Sequence, residues 1–319
     1  MQSKDRLEFV IPVFEEEECL PELLKRLLAL REKMTAVEMG FVFVNDGSRD
    51  SSLQQLLSFA NLHPFVKVIS FSRNFGHQAA VTAGLDHSRA DFICIIDADL
   101  QDPPELAELM YRKAKAEDLR IVYGQRKDRK GETSFKKLTA ALFYKLLRRM
   151  CQIDIPANTG DFRLIDRKVA QGMREMRESS RFLRGMFPWT GFRSAPVLYD
   201  RDPRYAGTTK YPFLKMFKFA VDAILSFSNV PLRAASYAGI SLVSAGLLGL
   251  FYMLWLKFFT DRVVPGIMVI LVGMFTLGGF QILMLGLIGE YIGRVFEQVK
   301  GRPIYFIDLT RNVEGEAGG

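Results

Sequence analysis

Cysteine is scarce in this chain. Its 319 residues include three, Cys19, Cys94 and Cys151, and no two stand at a metal-ligand spacing, which excludes a zinc finger or ribbon. An odd number of thiols also argues against a disulfide framework and for a reducing compartment. Residues 1–6 are polar and no cleavage pattern follows, so no secretory leader is expected. No Gly-x-Gly-x-x-Gly follows a strand, and no Gly-x-x-x-x-Gly-Lys-Ser/Thr occurs. That leaves out nicotinamide enzymes of the dinucleotide fold and P-loop enzymes. Charge is missing in two places: residues 234–256 and 263–289 contain no Asp, Glu, Lys or Arg. Each run exceeds the roughly 20 apolar residues that cross a bilayer, and runs of this kind are poor candidates for the buried core of a soluble domain.

What the chain does have is acid at the ends of apolar strands. Residues 92–96 form a short apolar run that drives into Asp97-Ala98-Asp99-Leu100-Gln101-Asp102 and stops at Pro103-Pro104. Burying a carboxylate is costly unless a partner neutralises it, and in open α/β sheets the carboxyl end of a strand is where ligands bind. Asp97 and Asp99 lie two apart and share one side of an extended segment. With Gln101 as a neutral oxygen donor, such a group suits Mg²⁺ or Mn²⁺, which share hard oxygen ligands with substrate phosphates. A solvated acidic turn is the plain alternative. The same pattern recurs upstream. Residues 9–14 read as a strand followed by acidic residues 15–18 and a helix over about 20–30. Residues 41–44 are a strand ending in Asn45-Asp46-Gly47-Ser48, and residues 66–71 a third, leading to a helix that ends near Asp86. Residues 121–124 make a fifth. This alternation predicts a doubly wound, mostly parallel α/β sheet with Glu16, Asp46, Asp97 and Asp99 gathered at one edge.

The pattern Ile11-Pro12-Val13-Phe14-x-Glu16, then Val44-Asn45-Asp46-Gly47-Ser48, then Asp97-Ala98-Asp99-Leu100-Gln101-Asp102-Pro103-Pro104-Glu105 resembles the family-2 glycosyltransferases of the GT-A fold. Within them it is similar to the polyprenyl-phosphate sugar transferases, the dolichyl-phosphate mannose synthases and the bacterial bactoprenol glucosyltransferases. Ser72-Arg73-Asn74-Phe75-Gly76, Gly160-Asp161-Phe162-Arg163-Leu164 and residues 286–294 match in the same order. One departure is Glu15, where the family usually has Asn.

The resemblance implies roles. Asp99 and Gln101 would be the ligands of Mg²⁺ or Mn²⁺, and Asp97, with Ala98 beside it, would contact the nucleotide sugar. Pro12, Phe14, Glu16, Val44 and Asp46 match positions that hold the nucleotide base and ribose. Arg204 and Lys210 match a loop that closes over the diphosphate. Arg126, Lys136 and Lys137 are the candidates for the acceptor phosphate, and Asp97, Asp161 and Arg126 form the catalytic set. A phosphate monoester already carries about −1.5 to −2 charge near neutral pH. Asp161, the family base, is therefore expected to orient the acceptor or support the metal as much as to take a proton, and Arg163 could pair with it. Attack on the anomeric carbon of an α-linked UDP-sugar would invert it. The implied reaction is transfer of a hexose, first of all glucose from UDP-glucose, to undecaprenyl or another polyprenyl phosphate for cell-envelope glycan modification. N-acetylhexosamine, mannose and aminoarabinose are the alternative sugars. A processive polysaccharide synthase fits less well, because Gln-x-x-Arg-Trp is absent: neither Trp189 nor Trp255 follows an Arg. A protein that only binds would not need Asp97, Asp99 and Gln101 together.

Composition divides the chain. Residues 1–210 read as a cytoplasmic transferase domain of ordinary size. Residues 211–231 set Phe213, Leu214, Phe217, Val221, Ile224 and Leu225 against Lys215 and Lys218, the spacing of an amphipathic helix in the membrane interface or packed on the domain. Residues 232–293 hold two expected transmembrane helices, about 234–256 and 263–289, joined as a hairpin, and residues 294–319 are a cytoplasmic tail. Arg233, Arg294, Lys300 and Arg302 flank the hairpin and outnumber the loop's Lys257 and Arg262. That places the catalytic domain and both termini on the cytoplasmic face of a multi-pass protein in a bacterial inner membrane. The formal net charge is +7, and residues 126–149 hold a basic run with interleaved aromatics. With membrane helices downstream, this run suits anionic lipid better than nucleic acid, unless it is only a solvated helix face. Gly273, Gly278, Gly279, Gly286, Gly289 and Gly293 in the second apolar run predict a homo-oligomer packed through these helices, or else a tight hairpin.

Overall fold

In the computed structural model, residues 4–127, 156, 158–179, 181–200, 230–259 and 266–313 are described. The chain divides into two compact units. One comprises Met1–Arg148, Ile153–Phe217 and Arg302–Gly319, and the other Arg149–Gln152 and Lys218–Gly301.

The first unit opens with β1 (Arg6–Val13), α1 (Leu20–Lys33), β2 (Glu38–Asn45), α2 (Ser52–Leu62), β3 (Val66–Phe71), α3 (His77–His87) and β4 (Phe92–Ile95). The first two strands bury nearly every residue past their first turn of chain, as strands covered on both faces must. Leu20, Leu23, Leu27 and Leu30 recur every three or four residues along α1 and are buried together with Phe9 and Phe41. On the opposite face, α3 approaches closely enough that a Cβ on Gly84 would stand 2.2 Å from Val10 Cγ1. Cys19 and Cys94 are buried free thiols.

After β4 come α4 (Leu106–Glu117), β5 (Ile121–Arg126), β6 (Thr159–Asp166), α5 (Arg167–Glu175), α6 (Leu183–Trp189), β7 (Ser194–Tyr199) and finally β8 (Ile307–Arg311). The strand order is β7-β5-β6-β4-β1-β2-β3-β8. Strands β3, β2, β1 and β4 are parallel, as the sequence predicts. The rest makes the sheet mixed: β6 runs antiparallel between β4 and β5, and β8 closes the other edge antiparallel to β3. The chain winds to one side of β1 through β2 and β3, then to the other through β4. The crevice at the carboxyl ends of β1 and β4 is thus a switch point, the usual ligand position of an open α/β sheet.

β8 lies in sequence beyond the helical unit, yet it covers the edge that β3 would otherwise expose. The Tyr305 ring stacks on Phe71 at 5.0 Å and its hydroxyl donates to the Asp86 carboxylate at 2.9 Å. Asn312 donates to the carbonyls of Ala60 and Val66.

Glu15, the departure from the family pattern, has φ +53°. That is the left-handed region, which costs a residue with a Cβ about 1–2 kcal/mol and which Asn tolerates better. Its backbone N–H, which donates to Ser48 Oγ at 3.0 Å, does not depend on the side chain. Glu15→Asn should therefore stabilise the protein by about 0.5–1 kcal/mol, seen as a higher midpoint in thermal unfolding, and Glu15→Val should lower it. An unchanged or reversed order would contradict the strain.

The second unit contains α7 (Val230–Phe259) and α8 (Gly266–Val299). A Cβ on Gly239 of α7 would lie 3.3 Å from the Phe280 ring of α8. α8 continues past the charge-free run, with Arg294 paired to Glu290 one turn before it at 3.2 Å. Among the described residues, Thr276–Val299 is the one helical segment long and apolar enough to cross a membrane. The expected amphipathic segment 211–231 falls on residues 211–229 outside the described residues and on the first turn of α7.

Candidate active site

Strand register brings the acidic residues together. In the antiparallel pair of β4 and β6, Ile95 faces Arg163. Asp97 follows the end of β4 by two residues, Asp161 precedes Arg163 by two on β6, and the charges of both reach His77. In the parallel pairing of β1 with β4 the last pair is Val10 with Ile95, and Pro12 follows Val10 by two. Val44 is fully buried beneath this edge, while Phe14 beyond it is 37% exposed.

Asp46 is buried at the end of β2. Its two carboxylate oxygens accept the backbone N–H groups of Phe75 and Gly76 at 2.7 and 2.9 Å. It thereby holds the loop between β3 and α3, which is the Ser72-to-Gly76 motif. Burial raises its carboxyl above the ordinary value, against the lowering effect of those two donors. Gly47 next to it has φ +66°, and a Cβ there would fall 2.5 Å from the Arg73 carbonyl carbon, so only Gly allows that loop to approach. The backbone N–H of Glu16 donates to Ser52 Oγ at 3.1 Å, tying the end of β1 to the start of α2.

Asp97 is partly exposed, and its Oδ1 lies 2.7 Å from Nε2 of His77. Burial alone would lower the His77 pKa, but the charge and hydrogen bond of Asp97, with Asp161 beyond, carry it up to about 9. Ala98 is buried. Asp99 accepts the Gln101 backbone N–H at 3.2 Å, closing a turn in which Leu100 takes φ +60°. Asp102, fully buried, accepts from the Tyr199 hydroxyl.

Arg126 ends β5 beside this turn. Its Nη2 is 3.9 Å from Asp102 Oδ1, and its Nε is 3.4 Å from the Tyr199 hydroxyl. It lies over Gly160, where a Cβ would stand 3.0 Å from Nη2. Arg204, Lys210, Lys136 and Lys137 lie outside the described residues.

The expected pair of Asp161 with Arg163 does not form through the carboxylate. Arg163 turns back to donate to the main-chain carbonyls of Asp161 and Gly160 at 3.2 and 2.9 Å and covers the Phe187 ring. Asp161 is instead held two-pronged by Arg184 of α6, at 3.0 and 2.7 Å. Burial would raise the Asp161 carboxyl; Arg184, with His77 and Arg163 behind it, holds it well below the usual range. His77, Asp102, Tyr199 and Arg184 were not legible as site residues. His77 directly follows the matched Ser72-to-Gly76 motif, which is the one signal that could have found it.

Among the described residues no three His, Cys, Asp or Glu side chains form a complete metal cage. Mg²⁺ is commonly held by one or two carboxylates with substrate phosphates and water supplying the rest, and Asp99 with Gln101 fits that arrangement.

The family model for glycosyl transferase family 2 matches residues 8–173. An uncharacterized glycosyltransferase of Bacillus subtilis (strain 168) is 47% identical over 307 residues, covering 96% of this chain and 94% of that one. A prophage bactoprenol glucosyl transferase homolog of Escherichia coli (strain K12) is 37% identical over 96% of this chain and 99% of its own. The bactoprenol glucosyl transferase of Shigella phage SfII is 37% identical over 95% of this chain and 97% of its own.

Proposed function

The chain belongs to glycosyl transferase family 2, and from that membership we propose that it transfers a hexose, glucose from UDP-glucose, to a polyprenyl phosphate at a membrane. The observation that carries this reading is the nearly full-length likeness to bactoprenol glucosyl transferases, together with acidic residues held at the switch point of the sheet. The acceptor phosphate oxygen attacks the anomeric carbon as the bond to UDP breaks, so the carbon inverts and the diphosphate leaves with the electron pair. Asp99 and Gln101 would hold Mg²⁺ or Mn²⁺, which when bound supplies positive charge to the leaving diphosphate. Asp97 would contact the donor sugar. Asp161, kept ionised and clamped by Arg184, is better suited to orienting than to removing a proton that a phosphate monoester has already lost. Pro12, Phe14, Glu16 and Asp46 shape the nucleotide end. Arg126, Lys136 and Lys137 would bind the acceptor phosphate, and Arg204 and Lys210 the donor diphosphate.

α7 and α8 would form a transmembrane hairpin with the catalytic unit in the cytoplasm. The connectivity supports this, because β7 and β8 bracket the helices in sequence and belong to one sheet. A segment leaving and rejoining one sheet crosses a bilayer an even number of times. Gly273, Gly278, Gly279, Gly286, Gly289 and Gly293 would let these helices pack closely, in a homo-oligomer or within the hairpin.

The test is to incubate purified protein in nanodiscs with undecaprenyl phosphate and, in turn, radiolabelled UDP-glucose, UDP-N-acetylglucosamine, GDP-mannose and a UDP-aminoarabinose. Label should enter the lipid fraction from UDP-glucose and disappear when EDTA removes the metal. Label from another donor alone would reassign the sugar, and no labelled lipid from any donor would end the reading.

A further inference from the structure

We propose that His77 is a positioning residue for the transfer reaction, holding the Asp97 carboxylate in the orientation that meets the donor sugar. The proposal deepens the transferase reading and rests on it.

Two helix starts meet at this point, and each supplies one residue to one of the two acidic groups. α3 begins with His77-Gln78 and α6 with Leu183-Arg184. Gln78 Oε1 accepts the Leu183 backbone N–H at 2.9 Å and so ties the two starts together. His77 then reaches Asp97 at 2.7 Å, and Arg184 reaches both oxygens of Asp161. With its oxygen committed to Leu183, Gln78 turns Nε2 toward Nδ1 of His77, 3.4 Å away. Nδ1 is therefore the acceptor, and Nε2 carries the hydrogen that faces Asp97. Asp97 needs such a partner. It stands just past the end of β4, where no ladder bond restrains it, with 29% of its side chain exposed. A carboxylate free to turn would spend much of its time out of reach of the donor, and misplacement of about 1 Å can cost a factor of about 100 in rate. Carboxylates gathered at one sheet edge also repel each other unless each has its own partner, and the His77 Nε2–H and the Arg184 guanidinium are those partners.

The test uses full-length protein in nanodiscs with UDP-glucose and undecaprenyl phosphate, and it compares wild type, His77→Phe, His77→Gln, Asp97→Asn and the double variant His77→Phe/Asp97→Asn. His77→Phe keeps the ring and loses both nitrogens. It should lower kcat by about 10- to 100-fold with the donor KM within about twofold. His77→Gln, which can bring an N–H to the place of Nε2, should restore kcat to within about fivefold of wild type. The double variant should be no slower than Asp97→Asn alone, because a residue acting through Asp97 has nothing left to position. An unchanged kcat in His77→Phe, or losses that multiply in the double variant, would overturn the proposal. Should His77→Phe fail to fold, His77→Gln against His77→Asn carries the test. Asn brings its N–H to the Nδ1 side, so equal activities of the two would overturn the proposal. Wild-type protein that labels no lipid overturns the transferase reading itself and this proposal with it, whereas an active wild type beside an equally active His77→Phe removes the proposal alone.

Discussion

Asp99→Asn should abolish sugar transfer, by about three orders of magnitude, and leave the fold intact. The substitution keeps an oxygen where Asp99 Oδ1 accepts the Gln101 N–H at 3.2 Å. The turn that carries Leu100 at φ +60° should therefore survive. What is lost is the negative charge. Gln101 would remain as a neutral donor, but without the carboxylate charge the cation is held far more weakly, and the leaving group must then depart without the positive charge that offsets its own. Two measurements separate chemistry from folding: the thermal unfolding midpoint should match wild type, and calorimetric UDP binding should lose its dependence on added Mg²⁺ or Mn²⁺. Near-normal turnover of purified Asp99→Asn at ordinary Mg²⁺ concentration would sink the assignment of Asp99 as a metal ligand.

The parallel half of the fold was legible because its signals are local. Residues 9–14, 41–44 and 92–96 announce buried strands by apolar runs, and 66–71 by a run broken at Lys67 and Ser70; the acids after the first, second and fourth mark the sheet edge where the site lies. The antiparallel half was not. β6 contains the Gly-Asp-Phe-Arg motif, and a motif catches attention as chemistry before it is seen as a strand. Its insertion between β4 and β5 is set by long-range pairing that no local period encodes. β8 follows a 34-residue helix, and nothing within its five residues names β3 as its partner. The same limit applies to side chains. Arg163 lies two residues from Asp161 and looked like its counter-ion, but successive even positions of a strand share a face with their own main chain close by, and Arg163 spends its donors there. Arg184, which does hold Asp161, sits in a segment whose sequence carries no sign of it. Donor chemistry made the acidic turn suitable for a divalent cation, and the family resemblance named Asp99 and Gln101 as its ligands.

Arg184→Ala should be among the most damaging single changes in the catalytic unit. Asp161 is almost wholly buried, and Arg184 is the one described side chain that grips both of its oxygens. Removing one partner of a buried pair leaves the other charge uncompensated, at a cost of about 3–5 kcal/mol. Arg184 is itself one-third exposed, and His77 and Arg163 remain near, so a cost at or below the bottom of that range, about 2–3 kcal/mol, is expected. The pH dependence has a definite sign. Arg184 depresses the folded-state carboxyl of Asp161, so the stability it contributes is present above the unfolded carboxyl pKa and is lost as pH falls through the folded one. The gap between wild type and Arg184→Ala in unfolding midpoint should thus be widest near neutral pH and narrow below about pH 4. Arg184→Lys keeps the charge without the two-pronged geometry and should fall between them. A gap that is absent at pH 7, or that fails to narrow as pH falls below about 4, would mean that the ion pair contributes nothing through Asp161. Transfer should fall with it by about 10- to 100-fold even at temperatures where Arg184→Ala is folded, since Asp161 would then lose the clamp that fixes its carboxylate.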